Sequence, residues 1–330
     1  MSAPLDGWVE RFPGVRLAVA GDFIADEFIY GDTSRISREA PVLILNFRSR
    51  EIVPGGGGNA AMNAAALGGR VTAVGAPGTD ASGEGLRAAL AERGIGLDSF
   101  PAEGGRFTPT KTRIMAGGRN TSRQQVIRVD HEAQHPIAGA LEERIVAALD
   151  GLSSESVDAV IISDYGLGVV TEAVREAAER LAQRVIVTVD SRYAADTFRG
   201  VAAITPNEEE AEALLGFWPD ADRLDEAGAA LLERSRARGV LLTRGSQGMT
   251  LFEAGGGRTD FPIFGSDEVA DVTGAGDTVI AAFTLALAAG APMPEAAGIA
   301  NRAAGLVVMK RGTAVVERAE LLAAVQEEAQ

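Results

Sequence analysis

The chain has 330 residues, of which 46% are hydrophobic and 23% charged, a composition typical of a folded protein with a substantial core. Its 46 acidic residues outnumber the 31 basic ones, and the formal net charge of -15 disfavours binding to nucleic acids and anionic membrane surfaces. The absence of cysteine excludes disulfides, thiolate nucleophiles and cysteine-ligated zinc, and it fits a cytoplasmic protein. The amino terminus carries Asp6 and Glu10 without an apolar run, so we expect no cleaved leader.

Short apolar runs alternate with segments of helical periodicity along most of the chain. This alternation predicts an α/β fold in which helices cover both faces of a mainly parallel sheet. Ligands bind such sheets at the carboxyl ends of the strands. After residue 270 the pattern predicts almost only helix, including a buried one over 279–289. The predicted strands are 15–20, 71–75, 157–162, 185–189 and 240–243, and the earlier helices are 84–93, 138–149, 172–182 and 226–238.

Two stretches, about 27–48 and 107–130, break this rhythm with alternating or β-branched runs and no helix between them. They predict a small antiparallel sheet that projects from the main unit as a lid. A second copy of the chain commonly covers an exposed sheet face of this kind, so we expect a homodimer formed through the lid. No repeat or linker divides the chain, and we expect one domain over 1–330.

The most informative string runs from Asp271 to Thr278 and contains Gly274-Ala275-Gly276-Asp277 directly before the apolar helix. Small residues at a helix start leave backbone N–H groups free to bind an anion such as a phosphoryl group. Asp277 in the first turn is placed to accept the proton of a hydroxyl that attacks a γ-phosphate. The alternative is that the glycines only shape a turn and that Asp277 only complements the helix dipole.

A second glycine-rich run, Pro54 to Asn59, leads into a helix of small residues. Glycines allow backbone to approach a ligand closely, and Asn59 offers a donor and an acceptor to a sugar hydroxyl. The alternatives are a flexible linker and a dinucleotide fingerprint, Gly56-x-Gly58-x-x-Ala61 with Asp80 following. The fingerprint is weakened because Pro54 is expected to interrupt the strand that should precede it.

The run His131-Glu132-Ala133-Gln134-His135 matches a zinc-protease pattern. That chemistry needs both histidines on one helix, whereas Pro136 disfavours helical geometry at His135 and predicts a helix that begins at Pro136. We interpret the match as coincidental. A P-loop is excluded, because neither of the two lysines, Lys111 and Lys310, follows a glycine.

Taken together, these strings resemble the ribokinase-like (PfkB) carbohydrate kinases over nearly the whole chain. The matching strings are Gly21-Asp22, Gly56-Gly57-x-Asn59, Asn207-x-x-Glu210, Thr243-x-Gly245 and the Asp271 to Asp277 signature. The lid strings resemble the kinases that phosphorylate D-glycero-D-manno-heptose 7-phosphate at its anomeric hydroxyl. Those strings are Tyr30-Gly31-x-x-Ser34-Arg35-Ile36-Ser37-x-Glu39-Ala40-Pro41-Val42, Pro109-Thr110-x-Thr112-Arg113 and Gln124-Gln125-x-x-Arg128-x-Asp130.

The resemblance implies a ribokinase-like three-layer fold, ATP and Mg²⁺ as cofactors, and a sugar phosphate as substrate. It implies that Asp277 is the catalytic base and that the backbone of Gly274, Ala275 and Gly276 stabilises the transferring phosphoryl group. The implied nucleotide and metal residues are Asn207, Glu210 (also the Mg²⁺ ligand), Thr243, Arg244, Gly245 and Asn301. The implied sugar and phosphate contacts are Asp22, Gly57, Asn59, Lys111, Arg113, Arg128, Asp164 and Arg192.

Two departures bear on the sugar. The heptose kinases usually read Asp-Tyr-x-Lys-Gly where this chain has Leu167, and Asp-Pro-Lys where it has Asp190-Ser191-Arg192. Arg192 keeps the positive charge of that lysine on a planar guanidinium, whereas Leu167 replaces a positively charged side chain by an aliphatic one. The alternatives are therefore a kinase of an uncharged ribose- or fructose-like sugar, a non-catalytic sugar or nucleotide sensor on the same scaffold, and, more distantly, a dehydrogenase built on the glycine run.

Overall fold

The computed structural model describes residues 5–117, 123–132, 135–265, 271–310, 312 and 314–327, which form two sheets and the helices around them. Each predicted strand is present, with its ends within two residues of the prediction. In chain order the strands are β1 (Arg16–Gly21), β2 (Phe23–Ile36), β3 (Leu43–Gly56), β4 (Arg70–Val74), β5 (Gly96–Ser99), β6 (Thr110–Gly117), β7 (Gln124–His131), β8 (Ala159–Asp164), β9 (Ile186–Ser191), β10 (Ala203–Ile204), β11 (Gly239–Thr243), β12 (Met249–Glu253) and β13 (Gly257–Phe261).

The central sheet has nine strands in the order β13-β12-β11-β10-β9-β8-β1-β4-β5. Neighbouring strands from β11 through to β5 are parallel, whereas β12 and β13 pair antiparallel at one edge. The prediction of a mainly parallel sheet is confirmed. The short strands β5, β10, β12 and β13 were not predicted.

Helices cover both faces of this sheet, as predicted. Buried residues alternate along the strands: Leu17 and Val19 of β1 pack into one core cluster, and Ala18 and Ala20 pack into the other. A strand buried on both faces reads as a continuous apolar run, which explains the strand patterns in the sequence. The helices are α1 (Asp6–Val9), α2 (Gly57–Ala66), α3 (Ala81–Glu92), α4 (Ala140–Asp150), α5 (Glu172–Leu181), α6 (Glu208–Leu215), α7 (Leu224–Ser235), α8 (Ala275–Ala288), α9 (Met293–Val308) and α10 (Arg318–Glu327).

The lid is a second sheet, with strand order β3-β2-β6-β7. The prediction that it is antiparallel throughout was wrong, because β2 and β6 pair in parallel while β3 and β7 return antiparallel. The register of β2 and β6 pairs Ala25 with Thr110, so both strands start at the same end of the lid and run in the same direction. Both insertions therefore contribute one outgoing and one returning strand.

Two local predictions also need correction. Pro54 does not interrupt β3, which continues to Gly56; β3 is an edge strand, where a missing N–H leaves no neighbour unpaired. No helix begins at Pro136; α4 starts at Ala140, because Gly139 has φ 58° and the Ile137 amide is bound to the Gly168 carbonyl at 2.8 Å. Within the described residues, none of the helices combines the length and the apolar character that crossing a membrane requires.

Candidate active site

The first turn of α8 sits at the carboxyl-end edge of the parallel strands and contains the string singled out from the sequence. Gly274 precedes the helix with φ 77°, a left-handed conformation that favours glycine. A Cβ at Gly274 would lie 2.3 Å from the side-chain amide of Asn59, so the approach of α2 also requires glycine. A Cβ at Gly276 would meet open space, which leaves this turn accessible to a ligand.

Asp277 is buried, with 4% of its surface exposed, and both of its carboxylate oxygens accept a hydrogen bond. Asn59 Nδ2 donates to Oδ2 at 2.8 Å, and the Tyr165 hydroxyl donates to Oδ1 at 2.9 Å. Burial raises the pKa of Asp277 to about 6, although the two donors oppose this shift. A carboxylate with this pKa is ionised at neutral pH and still basic enough to take a proton, as a general base must.

Asn59 is held in turn by its neighbours on α2 and α8. Asn63 Nδ2 donates to Asn59 Oδ1 at 3.1 Å, and the Thr278 hydroxyl donates to Asn63 Oδ1 at 3.0 Å. These buried bonds orient the Asn59 amide so that its nitrogen faces Asp277. The sequence predicted Asn59 as a sugar contact; the protein itself binds both ends of its amide, and the sugar contact stays a prediction.

Tyr165 is a site residue that the sequence did not single out. It begins the turn after β8, and the amides of Tyr165, Leu167 and Val169 donate to the fully buried Asp22 at 2.9 to 3.0 Å. Asp22 was expected to hold sugar hydroxyls, but its carboxylate is engaged with this turn, and that contact stays a prediction. Gly57 donates its amide to the Asp22 carbonyl at 2.9 Å and so joins the same assembly.

Asp164, another expected sugar contact, stabilises this turn as well. Its Oδ1 accepts from the Gly166 amide at 3.0 Å, and its Oδ2 accepts from the Ser191 hydroxyl at 2.7 Å. The Arg106 side chain donates to the Leu167 carbonyl at 3.1 Å from the other side. The turn after β8 is therefore fixed by the side chains of Asp22 between β1 and β2, Asp164 of β8, Ser191 of β9 and Arg106 before β6.

A mainly apolar cavity of about 480 Å³ lies against the first turn of α8. Its lining includes Thr243, Gly245, Ala275, Gly276 and Asn301, which the sequence placed at the nucleotide or at the phosphoryl group. The other lining residues are Ser246, Gly248, Met249, Ile263, Phe264, Val272, Val279, Ala304, Gly305 and Val308.

Arg244 differs from this expectation, because it is not among the residues that line the cavity. Its side chain is 10% exposed and pairs with Glu208 at 3.5 Å, and it also donates to Gln247. Asn301 uses its amide nitrogen for the Pro262 carbonyl at 2.7 Å. Thus only some of the residues that were expected to bind the nucleotide line the cavity.

Asn207 and Glu210 form a capping box at the start of α6. The Asn207 side chain accepts from the Glu210 amide at 2.8 Å, and Glu210 Oε2 accepts from the Asn207 amide at 2.9 Å. Burial raises the pKa of Glu210, whereas nearby Arg192 lowers it. The pKa of Asp190 is also raised, by burial and then by the charges of Glu210 and Asp277.

The negative charge of Glu210 and Asp190 is relevant to where Mg²⁺ would bind. Among the residues that the structure describes, no three His, Asp or Glu side chains are grouped to hold an ion by themselves. Mg²⁺ usually keeps several waters and binds one or two carboxylates together with substrate phosphates. Glu210, with one oxygen outside the capping box and neighbouring acidic charge, fits such a ligand.

A second cleft lies under the lid, on the other side of Tyr165. Lys111 of β6 and Arg192 after β9 both line it, together with Tyr165 and Leu167. Lys111 Nζ lies 5.8 Å from the centre of the Tyr165 ring. Asp277 itself lines neither space, but Ala275 and Gly276 of its helix turn line the apolar cavity, and its partner Tyr165 lines this lid cleft.

The two other predicted lid cations are engaged in ion pairs. Arg113 bonds Asp26 in a largely buried pair, and Arg128 bonds Asp130 at 2.7 Å on the exposed strand β7. Neither arginine is among the residues that line the lid cleft. Lys111 and Arg192 are therefore the predicted cations that the structure brings to the cleft.

The histidine pattern forms no metal site in the described part of the chain. His131 ends strand β7 and His135 lies in none of the described helices; residues 133 and 134 lie outside the described residues. The dinucleotide fingerprint also fails, because Gly56 ends the lid strand β3 and Gly58 follows it, whereas the fingerprint requires a parallel strand of the central sheet before the helix.

Comparison with solved structures identifies the fold as ribokinase-like. A structure of Arabidopsis thaliana ribokinase complexed with ribose and ATP is similar to 94% of this chain over 99% of its own, with TM-score 0.71 and 22% identity. Phosphofructokinase-2 from Escherichia coli in complex with potassium is similar to 96% of this chain over 100% of its own, with TM-score 0.77 and 20% identity.

The pfkB family carbohydrate kinase model matches residues 17–319, and the chain belongs to this family. It is a sugar kinase, a phosphotransferase with an alcohol group as acceptor. Bifunctional protein HldE of Citrifermentans bemidjiense is 40% identical over 327 residues, which are 97% of this chain and 65% of that protein. The same-named protein of Azorhizobium caulinodans is 42% identical over 315 residues, 94% of this chain and 64% of its own. The chain therefore spans just under two thirds of these relatives.

Proposed function

We propose that this kinase transfers the γ-phosphate of ATP to the anomeric hydroxyl of D-glycero-D-manno-heptose 7-phosphate, with Mg²⁺, in the cytoplasm, and that residues 1–330 act as one catalytic unit. The observation that carries the proposal is the surroundings of Asp277: its helix turn lines the apolar cavity, and its hydrogen-bond partner Tyr165 lines a lid cleft that Lys111 and Arg192 also line. The lid strings and the HldE relatives support the heptose phosphate as acceptor.

In the proposed reaction the acceptor hydroxyl lies beside Asp277. Its oxygen forms a bond to the γ-phosphorus while the bond from that phosphorus to the β,γ-bridging oxygen breaks, and ADP leaves with the electron pair. The hydroxyl proton passes to Asp277 and later to solvent. The Ala275 amide donates to the Val272 carbonyl at 3.2 Å, so the role of stabilising the negative charge of the moving phosphoryl group falls to the amides of Gly274 and Gly276 at the positive end of α8.

The apolar cavity is the proposed ATP site. Met249, Ile263 and Phe264 offer contacts to a flat aromatic base, and the cavity opens onto Ala275 and Gly276 where the phosphates would arrive. Mg²⁺ held by Glu210 would neutralise charge on those phosphates.

The sugar-borne phosphate is assigned to the lid cleft because Lys111 and Arg192 line it. Asp130 and Glu132 also line the cleft, and Asp130 is paired with Arg128, so we assign the anion to the side of the cleft where Lys111 and Arg192 can offer charge-assisted hydrogen bonds. Arg113 and Arg128 are already paired with Asp26 and Asp130, and we propose that they shape the lid and contribute less to this binding.

Leu167 favours a second candidate within the same chemistry. This aliphatic side chain lines the lid cleft where the heptose kinases usually carry lysine. A kinase of an uncharged ribose- or fructose-like sugar would suit it. A non-catalytic sensor is disfavoured, because a pure binding protein has no need of a base and this chain has both Asp277 and Glu210.

The exposed apolar residues of the lid support a homodimer. Their side chains would be removed from water if two lid sheets faced each other, which is a favourable change of the kind that drives association. These residues are Ile36, Leu43, Phe47, Val126, Ile127 and Val129, all exposed by more than 40%.

The test measures ADP release with ATP and a panel of phosphorylated and uncharged sugars. We expect turnover with heptose 7-phosphate, competition by inorganic phosphate, and a KM for the sugar raised about 10-fold or more in Lys111→Met. Lys310→Met is the matched control, because it changes the only other lysine, which is bonded to Glu320 away from the cleft. Turnover confined to uncharged sugars would favour the second candidate, and ligand binding without turnover would favour the sensor.

A further inference from the structure

Two different elements hold the two oxygens of the Asp277 carboxylate. Asn59, on the first turn of α2, donates to Oδ2 at 2.8 Å; Tyr165, on the turn after β8, donates to Oδ1 at 2.9 Å. A carboxylate with one donor can rotate about its terminal torsion, which is broad and roughly two-fold. Two donors on separate oxygens fix that rotation.

Tyr165 is itself held too firmly to be an incidental donor. Its own amide donates to the fully buried Asp22, and so do two further amides of the same turn. The Arg106 guanidinium donates to the carbonyls of Ala76, His135 and Leu167, so it joins this turn to two other loops. The backbone that carries the phenol is thus held by Asp22 and, through the Leu167 carbonyl, by Arg106.

The Tyr165 ring also faces the space assigned to the sugar. It lines the lid cleft, and Lys111 Nζ lies 5.8 Å from the ring centre, a distance at which a cation is attracted to an aromatic face. The Tyr165 hydroxyl therefore bonds the Asp277 carboxylate, while the Tyr165 ring faces the lid cleft.

We propose that Tyr165 is a positioning residue for phosphoryl transfer: its hydroxyl fixes the Asp277 carboxylate so that a free lone pair is directed at the acceptor hydroxyl in the lid cleft. The inference rests on the proposed role of Asp277 as the base. The bond to Tyr165 lasts through the reaction, and the phenol exchanges no proton with the substrate.

The charges that face Asp277 set its pKa, and so they determine how the pKa would change if the hydrogen bond from Tyr165 were lost. Asp26 of β2 raises the pKa of Asp277, Lys111 of β6 lowers it, and Asp190 of β9 also interacts with it. The hydrogen bonds from Asn59 and Tyr165 lower it. Removal of the phenol hydroxyl therefore raises the pH at which Asp277 loses its proton.

The first experiment is Tyr165→Phe, which keeps the ring and deletes the hydroxyl. We expect kcat to fall about 10- to 100-fold through misplacement of the base, KM values for ATP and sugar to stay within about two-fold, and the acid limb of kcat to move to higher pH. Tyr30→Phe is the matched control, because its hydroxyl bonds Glu51 at 3.4 Å on an exposed part of the lid. An unchanged kcat, or a reduced kcat with an unmoved acid limb, would overturn the proposal.

A second measurement does not depend on the folding of that variant. The chain has 3 tyrosines, so the wild type labelled with 3-fluorotyrosine gives three ¹⁹F signals, assigned with Tyr30→Phe and Tyr193→Phe. We expect the ¹⁹F chemical shift of Tyr165 to change with pH near pH 6 in the wild type and not in Asp277→Asn. A Tyr165 shift that depends on pH in the same way in both proteins would overturn the inference. An inactive wild type would overturn the proposed function, whereas an active wild type with the same acid limb in Tyr165→Phe would overturn this inference alone.

Discussion

Asn59 donates from Nδ2 to Oδ2 of Asp277 at 2.8 Å, although the two residues are 218 positions apart in the chain. The bond joins the first turn of α2 to the first turn of α8. It ties the two glycine-rich strings of the sequence into one site. Since Asn63 and Thr278 extend the same buried network, the geometry of the base depends on how these two helix starts pack.

The first prediction concerns pH. Burial raises the pKa of Asp277 to about 6, and a base acts only when deprotonated, so kcat/KM for the sugar should rise with pH through about 6 and level off above it. The measurement is the rate of ADP release from pH 5 to pH 8 at saturating ATP and a sugar concentration below KM. A rate that is flat across this range, or that falls as pH rises through 6, would contradict the assignment.

The second prediction compares two glycines of one turn by stability. Gly274→Ala places a methyl group at φ 77° and 2.3 Å from the Asn59 amide, so we expect the free energy of unfolding to fall by about 1–3 kcal/mol. Gly276→Ala is the matched control, since its methyl group meets open space inside a helix and should be neutral or slightly stabilising. Urea unfolding measures both. Equal effects of the two changes would show that the approach of Asn59 does not constrain this turn.

The third prediction concerns Asp22. Asp22→Ala leaves three amides of the turn after β8 without their acceptor, and we expect the free energy of unfolding to fall by about 2–4 kcal/mol. Asp98→Ala, at an exposed position of β5, serves as the control and should change stability little. Urea unfolding measures both variants. If Asp22→Ala left the free energy of unfolding nearly unchanged, the turn would have to be held by other contacts.

The fourth prediction concerns assembly. Phe47→Glu places a charge on an exposed apolar position of the lid and should shift a dimer towards monomer at micromolar concentration. Trp218→Glu is the control, because Trp218 is also exposed and lies between α6 and α7, away from the lid. Light scattering distinguishes the two. A monomeric wild type would remove the proposed lid dimer altogether.

The parts of the site that could be predicted from the sequence were local in the chain. The string from Gly274 to Asp277 indicates a helix start with an anion site, because the small residues and the carboxylate act within one turn. The strands at the centre of the main sheet were equally predictable, since burial on both faces leaves long apolar runs such as 159–162.

What could not be predicted depends on contacts between distant segments. Tyr165 meets Asp277 across 112 positions, and nothing in the local pattern of the turn indicates that partner. The pairing of Arg113 with Asp26, which takes this arginine out of the lid cleft, follows from the register of β2 and β6. The hairpin of β12 and β13 does carry a local signal, because Gly255 and Gly256 separate two short runs of strand-forming residues.

The central claim is that Asp277 is the base of a sugar kinase, and Asp277→Asn tests it most directly. The substitution keeps the shape of the side chain and removes its ability to accept a proton. ADP release should fall by about 10²- to 10⁴-fold while ATP still binds and the protein stays folded. A folded Asp277→Asn variant that phosphorylates sugar at the wild-type rate would contradict the account.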